Sequence, residues 1–359
     1  MTALARIFPR GVAAALASAL LFGAGTPLAK LALGSSSPWL LAGLLYLGSG
    51  LGLMVFRRLS RAAPARLALQ EGLWFAAAVL AGGVLAPVLL LAGLAQMPAS
   101  QAALLLNAEG VFTAILAWLV FGESAGPRLV LGLLCIVAGA LLLSGPGQTL
   151  SLSGVWPAVL ILGACLLWAL DNNLMRRVAL ADATWLASVK GLVAGAVNLL
   201  IWMMLGVWTG SGLDLPAWPR VGATLLIGLL AYGVSLSLFV QALRHLGTAR
   251  TGAYFSAAPF AGALLGVALG EPVTPALLAA AALMALGLWL HLSENHTHGH
   301  SHEALDHAHE HTHDDGHHAH SHDGGTPHSG AGPHSHWHHH APLTHAHAHF
   351  PDAHHRHSH

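Results

Sequence analysis

"GVFTAILAWLVFGE" (residues 110–123) and "APFAGALLGVALGE" (residues 258–271) decide how this chain is read. Both are apolar runs closed by Gly-Glu. Each follows, at a similar distance, a run with an aromatic residue near its start. "LLFGAGTPLAKLAL" (20–33) precedes the first and "LLWALDNNLMRRVAL" (166–180) the second, with Lys30 opposite Arg176. From Phe22 to Gly122 is 100 residues, and from Trp168 to Gly270 is 102. Matching motifs at matching intervals imply one unit used twice, 1–146 and 147–292.

Composition says where such a unit can live. Of 359 residues, 55% are hydrophobic and 8% charged, and mean hydropathy is +0.63. A water-soluble chain of this length needs more charge to cover its surface, whereas long apolar runs with few charges read as membrane spans. The averages hide a sharp boundary. Residues 1–292 are almost wholly apolar, while 293–359 hold 25 of the 27 histidines. Cys135 and Cys165 both fall in apolar runs and read as small buried hydrophobes. The first run continues past Pro27 to Leu33, longer than a secretory h-region, so an uncleaved first span is expected. No G-x-x-x-x-G-K-[ST] motif and no nucleophile–base pair is visible, which speaks against ATP-driven transport and against an enzyme.

A bilayer core needs about 20 apolar residues per helix. Cutting at the Gly, Pro, Ser and Arg breaks predicts ten spans: 11–33, 38–56, 72–94, 99–121, 127–145, 154–175, 184–207, 221–243, 250–270 and 274–292. Arg6, Arg10, Arg57, Arg58, Arg61, Arg66, Arg128, Arg176, Arg177, Arg244 and Arg250 then all flank one face, and only Arg220 dissents. By the positive-inside rule both termini are cytoplasmic and the chain is a multi-pass protein of a bacterial inner membrane. Five spans per half place the second unit upside down relative to the first. The predicted fold is therefore all-α, ten transmembrane helices in two inverted five-helix repeats. Secondary transporters commonly use this plan, with the substrate near the midplane between the repeats.

At "FGAGTPLAK" and "WALDNNLMRR", and at "NAEGVFTAILAWLVFGE" and "SAAPFAGALLGVALGE", the chain resembles the EamA-type branch of the drug/metabolite transporter superfamily. The resemblance covers roughly residues 10–292. It implies ten spans in two repeats, and export or exchange of a small metabolite or drug-like solute driven by an ion gradient or antiport. The chain departs from the pattern at Gly110, where proline is usual, and at the polar run Asp171-Asn172-Asn173. The histidine-rich tail is no part of that pattern.

Ionisable groups inside a bilayer cost several kcal/mol and need a reason to be there. Glu109 lies midway along span four, one turn from Asn107, and is the first candidate for a coupling carboxylate that loads and releases a proton. Asp171, Asn172 and Asn173 lie in the inner part of span six. Successive helical positions are 100° apart, so two of them can face one cavity but not all three. Asp171 can pair with an arginine one turn on or with Lys190 of span seven. Lys30, near the end of span one, is either a transport residue or a lysine snorkelling to the interface. Glu123 and Glu271 close the Gly-Glu motifs at span ends, where capping is the simpler reading.

The tail, 293–359, has no residues for a core and is expected to be disordered. Neutral imidazole is a good ligand for zinc, nickel, cobalt and copper. The closely spaced His296, His298, His300, His302, His307, His309, His311, His313, His317, His318, His320, His322, His334, His336, His338, His339 and His340 are the expected metal ligands. No cofactor is required for transport. The expected partners are the lipid bilayer, a small-molecule substrate, divalent metal ions and a second copy of the chain as a homodimer, but not nucleic acid. The alternative from another class is a membrane-anchored cytoplasmic metal buffer or sensor that does not transport.

Overall fold

The computed structural model describes residues 10–60, 69–121, 127–144, 152–175, 178, 182–210, 212–292, 297–302, 305–311, 334–340 and 343–348. The first half contains α1 (Arg10–Leu33) and α2 (Pro38–Leu59), then α3 (Leu69–Ala78), a π-helical segment π1 (Val79–Leu85) and α4 (Ala86–Leu94). It continues with α5 (Ala99–Leu105), α6 (Ala108–Phe121) and α7 (Pro127–Ser144). The second half follows the same order: α8 (Leu152–Met175), α9 (Ala183–Thr209), α10 (Trp218–Gly228), π2 (Leu229–Val234), α11 (Ser235–Phe255), α12 (Ala258–Ala268) and α13 (Pro275–Leu292). Eight of these runs are long and apolar enough to cross a bilayer, and the apolar helices Val130–Leu143 and Pro275–Leu290 stand where spans five and ten are predicted. The expected boundary at 146–147 lies outside the described residues.

Two candidate spans, Trp218–Ala242 and Thr251–Ala268, stand where spans eight and nine are predicted, and α11 runs unbroken across their join to Phe255. The segment "ALRHLGTART" has no proline, and its single glycine lowers helix propensity without ending a helix.

Helix pairing carries the repeat. Span one (α1) lies along spans eight and nine (α11, α12), while span six (α8) lies along spans three and four (α4, α6). Span two meets span seven (α2 with α9) and span five meets span ten (α7 with α13). Exchanging one with six, two with seven and so on returns the same set of pairs, as two related halves require. The breaks are repeated too: spans three and eight each contain a π segment, and spans four and nine are each interrupted, at 106–107 and at 256–257.

Lipid is as apolar as leucine, so helix association in a membrane rests on close backbone approach. The α2–α9 contact shows it at Gly50 and Gly191. A Cβ on Gly191 would come within 2.8 Å of the Gly50 Cα and amide nitrogen. By contrast, Gly72 of α3 has open space around its Cβ direction.

The tail, Asn295–Pro351, is a separate compact unit. Its described residues form two antiparallel ladders. β1 (Thr297–His302) pairs with β4 (Leu343–Ala348), and β2 (Leu305–His311) pairs with β3 (His334–His340). The alternation that suggested flexible chelation is also the period of a strand. The registers set His298 opposite His347, His300 opposite His345, His307 opposite His338, His309 opposite His336 and His311 opposite His334. The expected ligands His296, His313, His317, His318, His320 and His322 lie outside the described residues.

Gly191→Leu is expected to lower the apparent melting temperature in detergent, with a loss of about 1–3 kcal/mol from overpacking at the α2–α9 contact. Gly72→Ala should melt at or slightly above the parent temperature. Equal melting of the two variants would remove the close-approach account of this contact.

Candidate functional site

A π turn in span three organises the polar groups. In π1 the bonds reach five residues back, as from the Ala86 amide to the Ala81 carbonyl. The Gly82 carbonyl would therefore need the amide of residue 87, a proline with none to give, and inside a bilayer that carbonyl must find another donor. The Gly82 carbonyl accepts from the Tyr46 hydroxyl (2.7 Å) and from the Trp168 indole N–H (2.9 Å). Next to it, the Gly83 carbonyl accepts from the Asn198 amide (3.1 Å). Three spans, two, six and seven, are thus tied to one short stretch of span three. Glycine is needed at 82, because a Cβ there would collide with the Asp171 carboxylate.

Asp171 is buried at 5% exposure and forms an ion pair with Lys190 of α9. Lys190 is one of the two partners the sequence allowed it; the other, an arginine at 176 or 177, lies outside the described residues. Asn172, one position on, points elsewhere and donates to Glu109 Oε1 at 2.9 Å. Asn173 points away from both and donates to the Ala169 carbonyl of its own helix (2.8 Å). The 100° rule is obeyed: Asp171 and Asn172 join the polar cluster, and Asn173 turns back on its own helix.

Glu109 sits in the first turn of α6, just past the break in span four. Its carboxylate is close enough to Asp171 and Lys190 to feel both charges. Asn107 does not reach it. Its amide instead donates to the Leu104 carbonyl (2.9 Å), satisfying one of the acceptors that the break exposes. A second acceptor, the Leu105 carbonyl, takes the Cys165 thiol at 3.7 Å. Both cysteines are free.

Lys30 is not in this cluster. Its ammonium donates to the Met97 carbonyl and lies 3.9 Å from Glu271. Glu271 in turn accepts from the Ala99 amide (2.6 Å) and the Ser100 amide (2.7 Å). This latch joins α1, the α4–α5 turn and the α12–α13 loop at the loop face opposite the arginine-rich loops. The capping expected of Glu271 is therefore real, but it caps a helix of the other repeat. Partial burial raises the pKa of Glu271. Hydrogen bonds from Ser100 and Ala99 and the charge of Lys30 outweigh that and hold it below the ordinary carboxylate value. On the arginine-rich face, Asp182 caps α9 by accepting from the Trp185 amide (2.9 Å) and pairs with Arg57 at 2.6 Å. Its slight desolvation is likewise outweighed, here by Arg57 and the backbone amides, and its pKa is lowered.

Sequence reasoning missed the π segments, Tyr46, Trp168 and Asn198 as site-building residues, and Tyr232. Tyr232 belongs to π2, and its ring stacks on Tyr46 at 6.0 Å. The signals were present as paired glycines inside span three and a lone asparagine in "AGAVNLLIW".

Two outcomes test these contacts. Lys190→Met leaves a buried carboxylate without its cation and should cost about 3–5 kcal/mol of stability, whereas Lys190→Met with Asp171→Asn should recover most of that loss. Equal melting of the single and double variants would show that the pair is not formed. For Glu271, a pKa lowered by folding gives stability that is present above its unfolded pKa and disappears as pH falls through the lowered value. The difference in apparent melting temperature between parent and Glu271→Gln should therefore be largest at neutral pH and vanish in acid. A difference independent of pH would contradict the latch.

Comparison with known proteins agrees with this arrangement. Residues 9–145 and 155–293 each match the EamA-like transporter family. The chain is 28% identical over 279 residues to an uncharacterized transporter of Methanothermobacter thermautotrophicus, covering 73% of this chain and 80% of that one. It is 29% identical over 277 residues to the uncharacterized transporter YvbV of Bacillus subtilis, covering 76% and 88%. One solved structure superimposes with a TM-score of 0.57 at 20% identity, covering 78% of this chain and 95% of that one, which speaks for the fold alone. With two copies of the family domain spanning most of its length, the chain belongs to the EamA-like transporter family.

Proposed function

We propose that the chain is a proton-coupled secondary transporter that exports a small metabolite or drug-like solute across a bacterial inner membrane, with both termini cytoplasmic. Glu109 is the coupling residue. The observation that carries this is a charge count at the meeting point of the two repeats. Glu109 and Asp171 are two carboxylates near enough to feel each other's charge, and among the described residues Lys190 is the one cation beside them, already paired with Asp171. Asn172 gives Glu109 a hydrogen bond but no charge. With all three groups ionised the cluster holds one negative charge in excess. Asp171 is buried and Glu109 half-buried; a charge held within a bilayer is paired or neutralised, and one proton balances the sum. Loading it from one side and releasing it to the other is how a gradient drives a solute.

The location supports the same reading. Glu109 stands at the break of span four, and interrupted helices facing each other across an inverted repeat are where transporters place their sites. Among the described residues of the membrane domain no group of three or more His, Cys, Asp or Glu could hold a metal ion, which favours a solute over a bare divalent cation as cargo. The tail, with histidines set opposite one another in both ladders, binds zinc, nickel, cobalt or copper and serves as a regulatory element on the cytoplasmic side.

The two roles separate in one experiment. Cells producing the full chain, a truncation ending at Leu292 or Glu109→Gln are loaded with nickel, cobalt and zinc, and both cell metal and solutes in the medium are measured. Full-length and Glu109→Gln cells should hold equal metal, truncated cells less, and Glu109→Gln alone should lose export of a medium solute. Metal that falls with the full chain and recovers in Glu109→Gln would make the metal itself the cargo and overturn this reading.

A further inference from the structure

The polar cluster is unbalanced in hydrogen bonding as well as in charge, and both imbalances have the same sign. Among buried side-chain atoms, Asp171 Oδ1 and Asn198 Oδ1 have no hydrogen-bond partner, on residues only 5% and 0% exposed. Both residues adjoin the Gly82–Gly83 step of π1. Glu109 adds carboxylate oxygens met by one amide donor. Leaving buried acceptors open costs about 1–3 kcal/mol each, so they point to a partner rich in donors. The donors nearby are committed: Lys190 to Asp171, the Tyr46 hydroxyl and the Trp168 indole to Gly82, and the Asn198 amide to Gly83.

A second feature adjoins the first. Tyr46, whose ring lies near enough to feel Glu109 and Asp171, begins a row of aromatic rings. It stacks on Tyr232 (centroids 6.0 Å), Tyr232 meets Phe22 edge-on (5.9 Å), and Phe22 leans on Phe255 (5.3 Å). The row draws on spans one, two, eight and nine, so it belongs to both repeats. Ring faces attract cations, most strongly where water is excluded. An anionic solute would add charge of the wrong sign to a cluster whose lysine is already paired.

We propose that the transported solute is a protonated primary or secondary amine with an aromatic or apolar body, its N–H groups seated on the Glu109–Asp171 acceptors and its body on the Tyr46–Tyr232–Phe22 row. This rests on the coupling role of Glu109 given above and adds the chemical class of the solute. The amine and the proton compete for one negative charge, so binding of one releases the other. Among the described residues, the titratable groups near enough to feel Glu109 are Asp171 and Cys165 from α8, Lys190 from α9 and Tyr46 from α2.

The test uses the purified full-length protein in weakly buffered detergent solution. Four probes share a phenyl body: phenethylamine, its N,N,N-trimethyl analogue, 2-phenylethanol and 3-phenylpropionate. Binding is followed by calorimetry and proton release by a pH-indicating dye. Phenethylamine should bind and release a proton one for one. The trimethyl analogue, charged but lacking N–H donors, should bind about tenfold more weakly, and the alcohol and carboxylate should not bind. Glu109→Gln should abolish proton release. Tyr232→Leu should weaken amine binding about fivefold to tenfold while leaving the proton stoichiometry unchanged. Glu109→Asp, which keeps the charge, controls for misfolding and should retain release. Absence of amine binding, equal binding of the carboxylate, or binding without proton release would overturn the amine assignment. If Glu109→Gln still loses solute export in cells, the coupling role survives that result. If the variant neither changes proton release nor loses export, the coupling role fails with it.

Discussion

A carbonyl freed from its helix has no water to turn to inside a bilayer. Most of this protein's polar architecture answers that constraint. Pro87 leaves the Gly82 carbonyl of π1 without a helical donor, and Tyr46 and Trp168 converge from two other spans to meet it while Asn198, from a third, meets Gly83. The missing side chain at Gly82 then admits Asp171, Asp171 takes up Lys190, and Asn172 is left facing Glu109. This one stretch of span three thus lies beside Asp171, and through it Lys190. Removing Asn198 would leave the Gly83 carbonyl without that donor, whereas the Gly82 carbonyl has two.

The two halves share a backbone plan but not a chemistry. Each has a π segment in its third span and a break in its fourth. The first break carries Asn107 and Glu109, whereas the second offers Ala257, Ala258 and Pro259, with no ionisable group among them. The π segment of the second half contributes an aromatic ring, Tyr232, where that of the first contributes carbonyl acceptors. Repetition provides two bundles of the same plan, and divergence leaves Glu109 as the carboxylate beside the first break with no counterpart beside the second. The pairs Lys30–Glu271 and Arg57–Asp182 lie on opposite loop faces, away from this centre. Each holds two helices together without touching the cluster.

Much of this was legible in the sequence. Hydrophobic run length and arginine placement mark out the spans, and the doubled Gly-Glu motif marks the repeat. The Asp171–Lys190 pair was among the readings allowed by their common depth. Three things were hidden for physical reasons. A π turn has no periodic signature of its own, so nothing marked out Gly82-Gly83 in span three. Which of three consecutive polar residues faces the centre depends on helix rotation, which packing sets and composition does not. The partner of Glu271 lies 172 residues away at Ala99, and no local pattern announces a contact of that range. In the tail, H-x-H spacing fits both flexible chelation and a strand, and sequence alone offers nothing to choose between them.

The central claim is that Glu109 carries a proton within the membrane domain. Infrared difference spectroscopy of the reconstituted protein, titrated from mildly acidic to mildly alkaline pH, tests it most directly. The account predicts a protonated-carboxyl C=O band that disappears as pH rises, is absent in Glu109→Gln, and persists in the Asp171→Asn, Lys190→Met double variant. A titrating band that survives in Glu109→Gln and vanishes in the double variant would place the proton on Asp171 and contradict the account.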